Sequence, residues 1–182
     1  RNSSFSDVKK LTNTDHLESI EMNQTHSNQV KEITNKEKNS INEDAIFTCE
    51  KNILLTVRTA DCLPILIAHP NPLIAVIHAG RVGTDNNITY NTLDSIQRKY
   101  DLKENFDIYF GPHICKNCYE INPKTKTHYD LSTENISQIK DVLGTSFTIQ
   151  HNPYCTSCNN DLFFSYRKEG KKAGRFYSSL AI

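Results

Sequence analysis

Two short apolar runs, Leu63-Pro64-Ile65-Leu66-Ile67 and Leu73-Ile74-Ala75-Val76-Ile77, flank His69-Pro70-Asn71-Pro72. Runs too short for helices, rich in branched side chains and parted by turn formers, predict a buried hairpin. Its strands extend over residues 59–67 and 73–80 and carry Cys62 and His78. Upstream, residues 1–17 show no period and read as an irregular lead-in. Residues 20–26 alternate as a short strand with His26 at its end, and residues 29–33 continue it or pair with it. The Lys/Asn/Glu-rich stretch 34–43 reads as a solvated loop, because it cannot bury enough area to order itself. Residues 44–49 and 53–57 predict strands leading into the hairpin.

After Gly83 the period changes. Ile88, Thr92 or Leu93, Ile96 and Tyr100 recur at helical spacing, with Thr84 or Asp85 available as N-cap. Residues 106–110 alternate as a strand ending at Gly111-Pro112. Residues 132–142 predict a helix opened by Ser132, with Glu134 in its first turn, Ile136, Ile139 and Leu143 on one face, and Gly144 closing it. A strand at 146–150, an aromatic segment of ambiguous state at 162–167 and a last strand at 176–182 complete the pattern. Strands outnumber helices without strict alternation, which predicts an α+β class: a mixed or antiparallel sheet core flanked by helices, in one domain over 1–182. No Gly-rich turn joins a strand to a helix, which excludes a Rossmann reading.

Composition narrows the partners. Lys plus Arg and Asp plus Glu both number 21, a formal net charge of zero. Nothing there calls for nucleic acid or an anionic membrane, and a small ligand is the better expectation. No apolar run approaches the roughly 20 residues that span a bilayer, and Arg1-Asn2-Ser3-Ser4 is no signal-peptide core, so the expected location is cytoplasmic. Hydrophobic residues at 37% and charged residues at 23% suit a chain that folds unaided.

Candidate chemistry sits on the predicted strands. His26, Cys62 and His78 offer two imidazoles and a thiolate, a donor set that suits zinc; three protein ligands leave a fourth position open for water or substrate. Buried Cys and strand His are also ordinary core residues, so spacing alone leaves both readings open. Four further cysteines form Cys115-Lys116-Asn117-Cys118 and Cys155-Thr156-Ser157-Cys158, the two-by-two spacing of a structural zinc site. Isolated reduced thiols and a redox pair are the alternatives. Arg58, Arg167 and Arg175 are candidate anion contacts, His113 is either a ligand or a bystander, and Phe163, Phe164 and Tyr166 either wall a pocket or belong to the core.

The series Thr25-His26-Ser27-Asn28-Gln29-Val30, Asp44-Ala45-Ile46-Phe47-Thr48, Thr59-Ala60-Asp61-Cys62-Leu63-Pro64, Ala75-Val76-Ile77-His78-Ala79-Gly80, Phe110-Gly111-Pro112, Cys118-Tyr119-Glu120-Ile121 and Cys155-Thr156 followed by Phe163-Phe164-Ser165-Tyr166-Arg167 and Gly174-Arg175 resembles the YfiH/laccase-domain family. Its members have been described as multicopper polyphenol oxidoreductases, peptidoglycan-editing factors and purine nucleoside phosphorylases. The resemblance runs in order from about residue 20 to the C-terminus. It implies a mixed sheet flanked by helices and a catalytic zinc at His26, Cys62 and His78. It also implies phosphorolysis of adenosine, inosine, guanosine or methylthioadenosine, sometimes with adenosine deamination. For deamination Asp61 is a weak candidate proton carrier, since strand alternation turns it away from Cys62.

Two departures stand out. The family follows the second His with Ala-Gly-Trp-Arg-Gly, whereas this chain reads Ala79-Gly80-Arg81-Val82-Gly83, and the family's N-terminal Thr-Arg-x-Gly-Gly is absent or reduced. The first departure favours, as the alternative, a catalytically impaired metal-binding factor in cell-wall precursor editing. A copper-dependent polyphenol oxidase is a weaker alternative, because electron transfer through several coppers needs many His ligands and the chain has seven His. A Cys₄ zinc-stabilised interaction domain would leave His26, Cys62 and His78 empty.

Overall fold

The computed structural model describes residues 6, 9–10, 12–35 and 42–182, so most of the loop expected at 34–43 and much of the lead-in lie outside the described residues. The strands are β1 (Glu18–Glu21), β2 (Val30–Glu32), β3 (Ala45–Thr48), β4 (Ile53–Thr59), β5 (Leu63–His69), β6 (Leu73–Ala79), β7 (Phe106–Phe110), β8 (Glu120–Asn122), β9 (Thr127–His128), β10 (Phe147–His151) and β11 (Phe176–Ala181). The helices are α1 (Arg81–Asp85), α2 (Ile88–Tyr100), α3 (Leu131–Leu143) and α4 (Tyr166–Glu169). The architecture is α+β, with mixed sheets flanked by helices, as the patterning predicts.

The hairpin forms the centre. β5 and β6 pair antiparallel through the 69–72 turn, with Pro64 opposite His78, inside a six-stranded sheet of order β10-β7-β5-β6-β3-β2. Every residue of β6 is buried, because both faces of the sheet are covered. On one face Ile88, Leu93 and Ile96 of α2 and Leu131, Ile139 and Leu143 of α3 pack on Ile65, Ile67, Ala75 and Ile77. On the other, a three-stranded sheet of order β1-β4-β11 brings Ile20, Ile53, Leu55 and Val57 against Ile46, Ile74 and Val76.

The structure differs from the expectation at β2 and at the starts of α2 and α3, and it separates β3 from β4, a split the pattern does not predict. β3 and β4 are consecutive, but β3 pairs with β6 while β4 pairs with β1 and β11 in the second sheet. β2 pairs with β3, not with β1. Neither Thr84 nor Asp85 caps α2; the backbone N–H groups of Thr89 and Tyr90 donate to the side-chain oxygen of Gln138 on α3, at 3.1 and 3.2 Å. α3 opens on Asp130 instead of Ser132, its carboxylate accepting from the Thr133 N–H, and the aromatic segment turns into α4, capped by Ser165. No described helix is long and apolar enough to cross a membrane.

Candidate metal centre and adjoining cleft

The segment from Arg58 to Cys62 carries the chain from the second sheet into β5, and the site is built where it crosses. Cys62 lies in the bend before β5, not on the strand, and His26 lies in a loop beyond β1, not at a strand end. Their ligand atoms and that of His78 on β6 nonetheless all fall within 4.8 Å of one another. The His26 Nε2 is 3.8 Å from the Cys62 Sγ, and the two imidazole rings meet edge-on at 4.7 Å.

Asp44, fully buried at the head of β3, arranges this trio. Its Oδ1 takes the His78 Nδ1–H at 2.6 Å and the His26 N–H at 3.1 Å. Its Oδ2 accepts from the Ser27 N–H at 2.5 Å, the Ser27 Oγ at 2.7 Å and the Thr25 N–H at 3.2 Å. Several donors on one carboxylate hold His26 at a φ of 61°, a left-handed conformation uncommon outside glycine. With His78 Nδ1 committed to Asp44, Nε2 is the nitrogen left for coordination, the usual arrangement of a carboxylate-supported metal histidine. The sequence places Asp44 at the head of the motif Asp44-Ala45-Ile46-Phe47-Thr48 but assigns it no role; a charge heading the apolar run 45–47 was the available signal.

The electrostatics agree with the geometry. Burial pushes the Asp44 carboxyl up, but hydrogen bonds from His78 and Ser27 outweigh it and bring it to about 2. Burial also pushes the Cys62 thiol up, and the two imidazoles overcome it, lowering it to about 6. For His78, burial favours the neutral ring, whereas Asp44 and Cys62 raise it to about 9. A thiol that gives up its proton readily beside two oriented imidazoles fits a zinc ion. Gly80 permits the close approach: a Cβ there would lie 3.0 Å from His26 Cδ2 and 3.1 Å from Cys62 Sγ.

The trio opens into a cleft of about 820 Å³ whose lining includes Arg58, Arg81, Arg167 and Arg175. Arg81, one position out of the family register, faces this cleft and is tied to the Asp85 carboxylate at 3.2 Å; Tyr129 donates to the other oxygen of Asp85. Arg167 donates to the Glu120 carbonyl at 2.9 Å and lies over the Tyr119 ring, 5.5 Å from its centroid. Arg175 bonds back to the Ala173 and Gly174 carbonyls, and Arg58 lies 3.6 Å from Glu21.

Other predicted residues take structural parts. Asp61 accepts from the Thr156 hydroxyl at 2.7 Å and the Arg167 N–H at 2.6 Å, so both its oxygens are engaged. Both His113 nitrogens are used too, on the Gly111 carbonyl and the Ser132 hydroxyl. Phe163 stacks on Tyr154 and Phe176, and the Phe164 ring packs on Gly174; of that aromatic run Tyr166 reaches the cleft. The sulfurs of Cys115, Cys118, Cys155 and Cys158 converge in a second group.

A family model described as multi-copper polyphenol oxidoreductase laccase matches residues 3–134 and 122–182. The chain belongs to this family. It is 31% identical over 186 residues to a protein of Campylobacter jejuni named purine nucleoside phosphorylase, covering 96% of this chain and 78% of that one. A purine nucleoside phosphorylase of Clostridium acetobutylicum is 28% identical over 86% of this chain and 74% of its own. An adenosine deaminase from an unknown prokaryotic organism is 28% identical over 75% of this chain and 61% of its own. The fold matches the crystal structure of the YfiH protein of Bacillus licheniformis with a TM-score of 0.85, at 22% identity, over 97% of this chain and 79% of that one.

Proposed function

We propose that this laccase-family protein is a zinc-dependent purine nucleoside phosphorylase, a glycosyl-transferring enzyme acting on adenosine, inosine, guanosine or methylthioadenosine. The observation that carries the reading is one cleft that joins a His–Cys–His donor set to four arginines. The names of the relatives point the same way.

His26, Cys62 and His78 would hold the zinc, which when bound supplies Lewis acidity toward an oxygen ligand. The rest falls to the chain itself. Arg81 and Arg167, each held by its own neighbours, present guanidinium groups to an incoming phosphate with little ordering left to do. A phosphate oxygen bonds to C1′ as the C1′–N9 bond breaks, and the electron pair leaves with the base, which takes up the proton that the hydrogen phosphate gives up on becoming an ester. Tyr166, half of whose surface is exposed, offers a face for the purine. Asp44 keeps His78 in one tautomer and one orientation throughout.

A second reaction, deamination of adenosine by water, is favoured by the relative named adenosine deaminase. Asp61 lines the cleft but holds the Thr156 hydroxyl and the Arg167 backbone N–H, one on each oxygen, which gives it a structural part beside any proton transfer. Polyphenol oxidation through several coppers has less support: among the described residues only His26 and His78 join a donor cluster, and the second cluster is all cysteine.

The test is release of free base from adenosine, inosine and methylthioadenosine, with and without phosphate, by protein of counted zinc content. Phosphate-dependent release with formation of ribose 1-phosphate is expected. No release from zinc-loaded protein would overturn the reading in favour of the impaired editing factor.

A further inference from the structure

The four-cysteine cluster touches none of the reacting groups of that chemistry, yet it offers four donors where the cleft site offers three. We infer that Cys115, Cys118, Cys155 and Cys158 bind a second zinc, which clamps the loop after β7, whose Ile114 and Tyr119 line the cleft, to the loop after β10.

Topology brings the cysteines together. β7 and β10 are parallel neighbours with Phe110 opposite His151, so the loops that follow them leave the sheet side by side. They remain paired: His113 and Cys155 form a parallel bridge, and the Thr156 N–H donates to the His113 carbonyl at 3.1 Å. Each loop then folds into a tight turn carrying its Cys-x-x-Cys, with Cys118 N–H donating to the Cys115 carbonyl at 3.0 Å and Asn159 N–H to the Cys155 carbonyl at 3.0 Å.

The four sulfurs all lie within 4.8 Å of one another, with Cys118 and Cys158 at 3.4 Å. Tetrahedral zinc with bonds of about 2.3 Å sets sulfurs roughly 3.8 Å apart, so a small adjustment closes the shell. Two disulfides would require two contacting pairs, not convergence of all four. The buried Cys155 Sγ also accepts the N–H groups of Cys115 and Cys158, at 3.2 and 3.4 Å, the outer hydrogen bonding that metal thiolates receive. Because both His113 nitrogens are engaged elsewhere, the donor set is four sulfurs, and a full shell with no open position marks a structural ion.

The clamp reaches the cleft through adjacent residues. Tyr119, next to Cys118, lies beneath the Arg167 guanidinium. Thr156, next to Cys155, donates to Asp61, which takes the Arg167 N–H on its other oxygen. Two supports of Arg167, the Tyr119 ring beneath its guanidinium and the Asp61 carboxylate on its backbone N–H, therefore hang from the cluster, making the four cysteines positioning residues.

Metal content of wild type, Cys62→Ala, Cys158→Ser and the double variant, measured by mass spectrometry, tests this. Two zinc ions per chain are expected in wild type, one in each single variant and none in the double. Cys158→Ser should raise KM for phosphate more than it lowers kcat. Unchanged zinc in Cys158→Ser, or loss of all zinc from Cys62→Ala, would overturn the inference; the two variants report the two sites separately. Should Cys158→Ser fail to fold, wild type alone decides. Organomercurial titration should release one zinc as four thiols react and a second with Cys62, whereas iron in the cluster, or an unreduced mass short by the hydrogens of two disulfides, would refute it.

Discussion

Asp44 couples the two histidines of the candidate site through one oxygen, since the His78 ring and the His26 backbone both bond to Oδ1. Asp44→Asn keeps the shape but removes the charge and turns an amide NH₂ toward groups that donate. Losing one partner of a buried pair costs about 3 to 5 kcal/mol, so the urea midpoint should fall substantially. Zinc affinity should drop about 10- to 100-fold, the usual cost of losing the group that supports a metal histidine; equal affinities in a chelator competition would show that Asp44 does not orient the site. Gly80→Ala isolates the steric part. Its φ of −80° suits alanine, but the added Cβ would meet His26 and Cys62 at 3.0 and 3.1 Å. Weakened zinc binding in a protein of near-normal stability is the expected result, read by the same competition beside thermal unfolding.

Between elements, the polar contacts decide what the apolar pattern cannot. Gln138 on α3 accepts from two N–H groups at the start of α2 and donates to the Thr84 carbonyl of α1 at 2.8 Å, so one buried amide fixes three helices. Gln138→Leu preserves volume and strands two donors; at about 1 to 3 kcal/mol for each buried unsatisfied group, the variant should lose several kcal/mol in equilibrium unfolding. A loss below about 1 kcal/mol would mean that the N–H groups find other partners. This contact also marks how far the sequence was legible. Local signals sufficed for the hairpin around His69-Pro70-Asn71-Pro72, the helical period of Ile88 to Tyr100 and Gly144 as a helix end, because period and turn chemistry are written in neighbouring residues. The cap on α2 comes from a residue 49 positions away, and the separation of β3 from β4 depends on which sheet each joins. Neither leaves a local trace. The site divides the same way: His26, Cys62 and His78 were legible by donor chemistry and motif, whereas the part of Asp44 and the bonds of Asp61 to Thr156 and Arg167 emerge only when distant segments meet.

Across the whole molecule, both clusters are made from segments far apart in the chain, so each exists only in the folded state. Residues 26, 62 and 78 tie the loop after β1 to both strands' ends at the centre, and the four cysteines tie the loops after β7 and β10. An ion that binds the folded chain alone stabilises it by mass action, about 2.7 kcal/mol at a free concentration one hundred times Kd. For a chain of this length that corresponds to a rise in Tm of about 5 to 10 °C per site. Chelation of the holoprotein should therefore lower Tm in two separable increments. Cys62→Ala should abolish the increment that accompanies loss of activity, and Cys158→Ser the increment that accompanies loosening of Arg167. The order of loss follows from coordination: the cleft site keeps an open position through which a chelator can attack, whereas the all-sulfur shell has none. Activity should thus disappear at lower chelator concentration than the larger part of the thermal stability. A single cooperative loss of both, unaltered by Cys158→Ser, would mean that one ion alone serves the molecule.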